Sequence, residues 1–156
     1  MKLVSQTKDG WQYQLDQPEA NCLRSLLLRF PITANAPAKI SRTDSDPQTV
    51  DREKLLNESL ADHRQELKKI ARNLMGAGQF KVRDKGWQLC INSEEREILL
   101  QILNDIRVGS WRALGEPENL ETQTPNPTEK DQTLCNIMNL AGYFEHMLLD
   151  LEGAED

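Results

Sequence analysis

Two stretches of the chain decide the fold that we expect, because they match each other without gaps: Gly10–Phe30, GWQYQLDQPEANCLRSLLLRF, and Gly86–Ile106, GWQLCINSEEREILLQILNDI. Both open on Gly-Trp-Gln, and in both a glutamate follows at the same distance from that glycine. Self-similarity at a fixed period is the signature of a structural repeat. We therefore predict two pseudo-symmetric copies of one unit, at about residues 1–76 and 77–152.

Each copy opens with the pattern of a β-hairpin. The apolar residues that alternate with polar ones are Trp11, Tyr13 and Leu15 in the first copy and Trp87, Leu89 and Ile91 in the second. Alternation with a period of two is typical of a strand with one buried face. A Lys-Asp-Gly turn precedes the first run and an Asp-Lys-Gly turn precedes the second, so we predict a hairpin at each place.

Each predicted hairpin leads directly into a helix. Asp16 and Asn92 are favourable N-cap residues, and Glu19 and Glu95, three positions later, complete a capping box. The residues that follow have the spacing of one buried helical face: Cys22, Leu23, Leu26, Leu27 and Phe30 in the first copy, and Ile98, Leu99, Ile102, Leu103 and Ile106 in the second.

A long loop and a longer helix complete each copy. The loops are predicted at 31–48 and 114–128, where Pro and small polar residues replace the periodic pattern, and the helices at about 49–75 and 128–152. In both helices apolar residues recur at alternating intervals of four and three, which is the coiled-coil pattern. The first seam is Leu56, Leu60, His63, Leu67, Ile70 and Leu74; the second seam is Leu134, Ile137, Ala141, Phe144, Leu148 and Leu151.

These elements predict one domain over residues 1–156 of the mainly α (α+β) class, in which two β-hairpin–helix–loop–long-helix repeats pack as one helical domain. Two arrangements of the seams are open at this stage. Both seams can pack inside the monomer, or one of them can form a dimer interface.

The charge of the chain argues against several classes of partner. The chain has 19 basic and 25 acidic residues, a net charge of −6, and no run of Lys and Arg. Binding to nucleic acid draws its affinity from phosphate neutralisation, so it is disfavoured, and so is binding to an anionic membrane. Neither an apolar segment long enough to span a bilayer nor a signal peptide is recognisable, which indicates a cytoplasmic protein.

No catalytic, metal or cofactor motif is recognisable. Cys22, Cys90 and Cys135 lack the spacing of a zinc site or a disulfide framework, so we expect three small buried residues. His63 lies on the first seam, where a buried core histidine is the simpler interpretation, and His146 has Glu145 and Asp150 near it on its helix. We therefore assign no catalytic or metal-binding residue and no cofactor.

The stretch Leu103–Gly115, LNDIRVGSWRALG, is the most unusual local sequence. It yields a candidate ligand site made of Asn104, Asp105, Arg107 and Arg112. Local pairing of Asp105 with Arg107 or Arg112, together with close helix packing at Gly109, is the simpler structural interpretation and is preferred here.

This stretch, preceded by SEEREILLQI, resembles the closing signature of a bacterial family, the domain of unknown function two thousand and seventeen family. The first half, with Arg29-Phe30-Pro31 and then a helix that carries Asp51, resembles it as well. The resemblance implies a bacterial protein and supplies no catalytic residues. Genes of that family lie near a Clp protease adaptor in some bacteria, which implies partners in protein quality control or regulation.

Two functions from different classes follow. The first is a helical protein-interaction or regulatory module without catalytic activity, possessing a protein partner or associating with itself through a seam. The second is a ligand-binding protein or enzyme with its site near Asn104–Arg112. A regulator that binds nucleic acid is a third and weaker hypothesis, since the chain is acidic.

Overall fold

A computed structural model describes residues 1–32, 47–76, 78–84, 86–118 and 127–150. Its elements are, in chain order, β1 (Lys2–Thr7), β2 (Gly10–Leu15), α1 (Gln17–Arg29), α2 (Pro47–Leu74), β3 (Phe80–Arg83), β4 (Gly86–Ile91), α3 (Ser93–Ala113) and α4 (Glu129–Leu149). Both predicted hairpins and all four predicted helices are therefore confirmed. Most of the two predicted loops and the end of the second seam, Leu151, lie outside the described residues.

The two hairpins form a single antiparallel sheet with the strand order β1-β2-β4-β3. Its centre is the pair β2 and β4, in which Trp11 lies opposite Ile91, Tyr13 opposite Leu89 and Leu15 opposite Trp87. Joining two hairpins through their second strands buries the apolar face of both, which neither hairpin could do alone.

The helix starts follow the predicted chemistry. In α1 the Glu19 N–H donates to the Asp16 carboxylate at 2.8 Å, and the Asp16 N–H donates to the Glu19 carboxylate at 2.9 Å. Asn92 and Glu95 repeat both bonds at the start of α3. These bonds satisfy amide groups that have no partner within the helix, and so they fix where each helix begins.

The core lies between one face of the sheet and the helices. Tyr13, Leu15, Leu89 and Ile91 on that face are at most 3% exposed. Helices α3 and α4 pack along each other, with Ile102, Leu103, Ile106 and Phe144 almost completely buried between them and the sheet. The other face of the sheet carries polar side chains, such as Gln12 and Gln88, and it is open to solvent.

A close approach of backbones explains the glycine that opens each central strand. A Cβ placed on Gly86 would lie 2.5 Å from the carbonyl oxygen of Leu15, and one placed on Gly10 would lie 2.3 Å from that of Ile91. Both glycines also have a positive φ, +122° and +151°. A side chain at either position would therefore push β2 and β4 apart at the centre of the sheet.

Candidate functional surfaces

Helix α2 extends well beyond the part of it that packs on the core. It has 28 residues, a length of about 42 Å at 1.5 Å per residue. Leu67, Ala71 and Leu74 are buried near its end, whereas no side chain described between residues 48 and 66 is fully buried. Large apolar side chains stand out on this first part, with Val50 56% and Leu55 66% exposed.

The first seam divides into two rows, one facing the core and one facing outward. Leu60, Leu67 and Leu74, seven residues apart, form the inner row, of which Leu67 and Leu74 are buried. Leu56, His63 and Ile70 form the outer row, with Leu56 40% exposed, His63 exposed and Ile70 half-buried. The interpretation of His63 as a core histidine is therefore wrong, because α2 is turned so that the outer row meets the core only near the end of the helix, where Ile70 packs against it.

The second seam packs inside the monomer. Leu134, Ile137, Ala141, Phe144 and Leu148 are all at most 8% exposed, and α4 lies against α3. His146 points away from this contact and is exposed. Among the described residues of the two seams, Leu56 and His63 of the outer row are therefore the most exposed.

The predicted ligand residues Asn104, Asp105, Arg107 and Arg112 do not converge on one point. Asp105 faces α2 and accepts a hydrogen bond from the Nε of Arg64 at 3.3 Å. Arg107 faces α4, where its Nη1 lies 3.2 Å from the Glu145 carboxylate, and its Nη2 donates to Asn104 at 3.2 Å. Arg112 lies a further turn along, 4.0 Å from Glu116. Each residue is engaged by a neighbour within the chain, but the partner of Asp105 is Arg64 on α2, so the predicted local pairing with Arg107 or Arg112 is wrong.

Glu145 is the buried acid of this region. It is 8% exposed, and burial raises the pKa of its carboxyl group, which the nearby Arg107 guanidinium partly opposes. Sequence reasoning missed Glu145 because its partner lies on another helix.

The outer strand β3 has an accessible edge and an adjoining hollow. Val82 is 69% exposed, although it lies opposite Trp87 in the sheet. Beside it lies a hollow of about 520 Å³ between β3, α1 and the end of α2. Its apolar lining residues include Met75, Phe80 and Trp87, and Arg24, Lys81 and Arg83 also border it; none of the described residues that line it is acidic.

Trp87 makes three contacts at the wall of this hollow. Its Nε1 donates to the side-chain oxygen of Gln17 at 2.9 Å, and the Arg24 guanidinium lies 5.5 Å from the centre of its ring. Phe80 meets the ring edge-on with 6.2 Å between centroids. The alternating pattern of the second hairpin indicated the strand, but not that this tryptophan would border an open cavity.

The described residues contain no cluster of His, Cys, Asp and Glu side chains that could hold a metal ion. The three cysteines are free and half-buried rather than fully buried. Among the helices that are described, none is long and apolar enough to cross a membrane.

The fold and these surfaces define a class of protein: a two-layer α+β domain with an open antiparallel sheet face and one projecting helix. Comparison with protein-family models, with curated proteins and with solved structures gave no significant match to the chain. The resemblance to the domain of unknown function family therefore stays a prediction.

Proposed function

We propose that this protein is a protein-interaction module without catalytic activity, and that it associates with a second copy of itself through the outer row of α2. The observation that carries the proposal is the division of the first seam, since Leu56 and His63 are exposed at heptad spacing and Ile70, half-buried against the core, continues the row. Exposed apolar residues grouped on one element favour a contact surface over a solvated one.

The spacing of the outer row favours an antiparallel arrangement of the two α2 helices in the dimer. His63 lies midway between Leu56 and Ile70, so a two-fold axis through His63 brings Leu56 of one copy to Ile70 of the other. The row spans about 21 Å of helix. An interface in which one patch meets itself is the usual form of a homodimer.

The charges along α2 favour the same direction. Residues 51–62 have a net charge of −2 and residues 64–72 a net charge of +3. An antiparallel pair places the acidic half of each helix beside the basic half of its partner, whereas a parallel pair places like charges together.

Two further expectations from the sequence belong to the proposal. The first is that the domain arose as two pseudo-symmetric repeats, which is supported by the element order β-β-α-α occurring twice and by Trp11 lying opposite Ile91 just as Trp87 lies opposite Leu15. The second is a cytoplasmic location, which the free cysteines favour because disulfides are rare in that compartment.

A ligand site near Asn104–Arg112 is less well supported. Its four side chains are directed at α2, at α4 and at each other, so they serve first to join helices. Binding of nucleic acid is less well supported too, given the net charge of −6.

Sedimentation equilibrium of the wild-type chain and of designed variants tests the proposal. Leu56→Glu places a carboxylate in the interface twice, once on each side of the axis, and we expect it to weaken the dimer by at least about 100-fold, or about 2.7 kcal/mol. Adding Ile70→Lys should restore much of the affinity, because an antiparallel pair sets each new carboxylate beside a new ammonium group.

Leu55→Glu is the matched control, since this neighbouring leucine is more exposed and lies outside the outer row. It should leave the dimer unchanged, and circular dichroism should show that all variants fold. A wild-type chain that stays monomeric at high concentration would contradict the proposal. A dimer that Leu56→Glu leaves intact would contradict the choice of surface.

A further inference from the structure

We propose that the free edge of β3 and the adjoining hollow form a binding site for an extended acidic segment of a partner protein, which adds to the sheet as a fifth strand. This site is separate from the outer row of α2, so its test does not depend on whether the chain dimerises.

The first support is the direction of the backbone groups. The N–H of Cys90 donates to the carbonyl oxygen of Gln79 at 3.0 Å, and hydrogen-bonded pairs alternate along an antiparallel ladder. Lys81 and Arg83 are therefore the residues that exchange hydrogen bonds with β4. The N–H of Phe80, which also points away from β4, already donates to the carbonyl oxygen of Gly76 at 3.1 Å. The N–H and C=O of Val82 point to the open edge, where they can bond an added strand.

The second support is the difference between the two edges of the sheet. The register between β1 and β2 shifts between Leu3 and Ser5, so β1 has an irregularity that hinders pairing along its outer edge. Strand β3 pairs with β4 in regular register from Phe80 to Arg83. An added strand therefore fits β3 better than β1.

The third support is the charge and shape of the surface. The side chains of Lys81 and Arg83 lie on the opposite face of β3 from Val82, since successive residues of a strand alternate. Two β3 strands from two copies would bring these cations together, which disfavours self-pairing. An added strand with carboxylates at the positions next to Lys81 and Arg83 would instead place an opposite charge beside each cation.

These features define a sequence pattern for the partner. A residue opposite Val82 points to the side of the sheet where the hollow lies, and Met75, Phe80 and Trp87 make that hollow suited to an apolar side chain. The residues on either side of it point to the face of Lys81 and Arg83. The recognised segment is thus extended, with an apolar residue flanked by acidic ones.

The experiment is selection from a randomised peptide display library on the full chain, followed by fluorescence polarisation with the enriched peptide. We expect peptides with the acidic–apolar–acidic pattern. Val82→Pro removes the outward N–H but no bond to β4, and proline is tolerated on edge strands. It should weaken binding at least ten-fold, whereas Val82→Thr, which keeps the N–H, should bind within about two-fold of the wild type.

Charge reversal supplies a second test, which does not involve proline. Lys81→Glu should weaken binding of the acidic peptide. In a repeated selection, this variant should favour peptides with a basic residue at the position that faces residue 81. Thermal melts check that each variant folds.

Three results would overturn the proposal. The first is a selection that enriches no peptide. The second is an enriched peptide that binds Val82→Pro with the same affinity as it binds the wild type. The third result is that single-stranded RNA of mixed sequence displaces the peptide and binds Val82→Pro as tightly as it binds the wild type. The cationic side chains would then form a binding site for a polyanion and not for a strand.

Discussion

Replacement of Gly86 by alanine is expected to destabilise the domain strongly, for two reasons that the structure separates. The φ of +122° costs a residue with a side chain about 1–3 kcal/mol. The added Cβ would also lie 2.5 Å from the carbonyl oxygen of Leu15, and moving the central strands apart to admit it costs about 1–3 kcal/mol more. We expect a total loss of about 3–4 kcal/mol, a large part of the roughly 5–15 kcal/mol typical of a domain.

Two other glycines serve as matched controls. Gly115 has a φ of +88°, and an added Cβ there would meet no atom within 4 Å, so Gly115→Ala should cost only the backbone part, about 1–2 kcal/mol. Gly78 has open space and no positive φ, so Gly78→Ala should change the free energy of unfolding by less than about 1 kcal/mol in either direction.

Equilibrium urea denaturation at one fixed protein concentration, followed by tryptophan fluorescence, measures all three variants. Trp87 follows Gly86 directly and contributes to this signal together with Trp11 and Trp111, so the signal reports on unfolding of the whole domain. Equal losses for Gly86→Ala and Gly115→Ala would refute the reasoning, because they would mean that the close approach of β2 and β4 adds nothing to the effect of φ.

Two more predictions concern the contacts between helices. Burial raises the folded-state pKa of Glu145 above its ordinary value of 4.5, so the group's contribution to stability is fully present below pH 4.5 and is lost as the pH rises through the raised pKa. The free energy of unfolding of the wild type, relative to Glu145→Gln, should therefore fall from about pH 4 toward neutral pH, and parallel pH profiles would contradict this. A double-mutant cycle with Arg64→Met and Asp105→Asn should give a coupling of about 0.5–1 kcal/mol, because both side chains are about 30% exposed. The same cycle on Arg112 and Glu116, which are half-exposed and 4.0 Å apart, should give a smaller value, and equal couplings would show that partial burial does not strengthen the first pair.

Local patterns predicted the elements of this fold because each depends on near neighbours in the sequence. The alternation of Trp87, Leu89 and Ile91 is enough for a strand, and Asn92 with Glu95 is enough for a helix start. The strand order was not predictable in this way. Pairing of β2 with β4 joins residues about one repeat apart, and nothing local to either strand specifies its partner.

The candidate surfaces were less accessible to sequence reasoning for the same physical reason. The spacing of the first seam identified Leu56, His63 and Ile70, but which row faces outward depends on how α2 lies on α1 and α3. Asp105 and Arg107 were identified as unusual, whereas their partners Arg64 and Glu145 come from other helices. That β3 forms an edge follows only from the strand order.

The central pairing of β2 with β4 also has a consequence for how the chain can be divided. Cutting it after Gly76 leaves one hairpin on each fragment, and an isolated two-stranded hairpin is marginally stable at best. Neither fragment can form the four-stranded sheet until the other fragment supplies the neighbouring central strand. The two pieces are thus suited to complementation, in which folding is a bimolecular event and reports that the fragments have met.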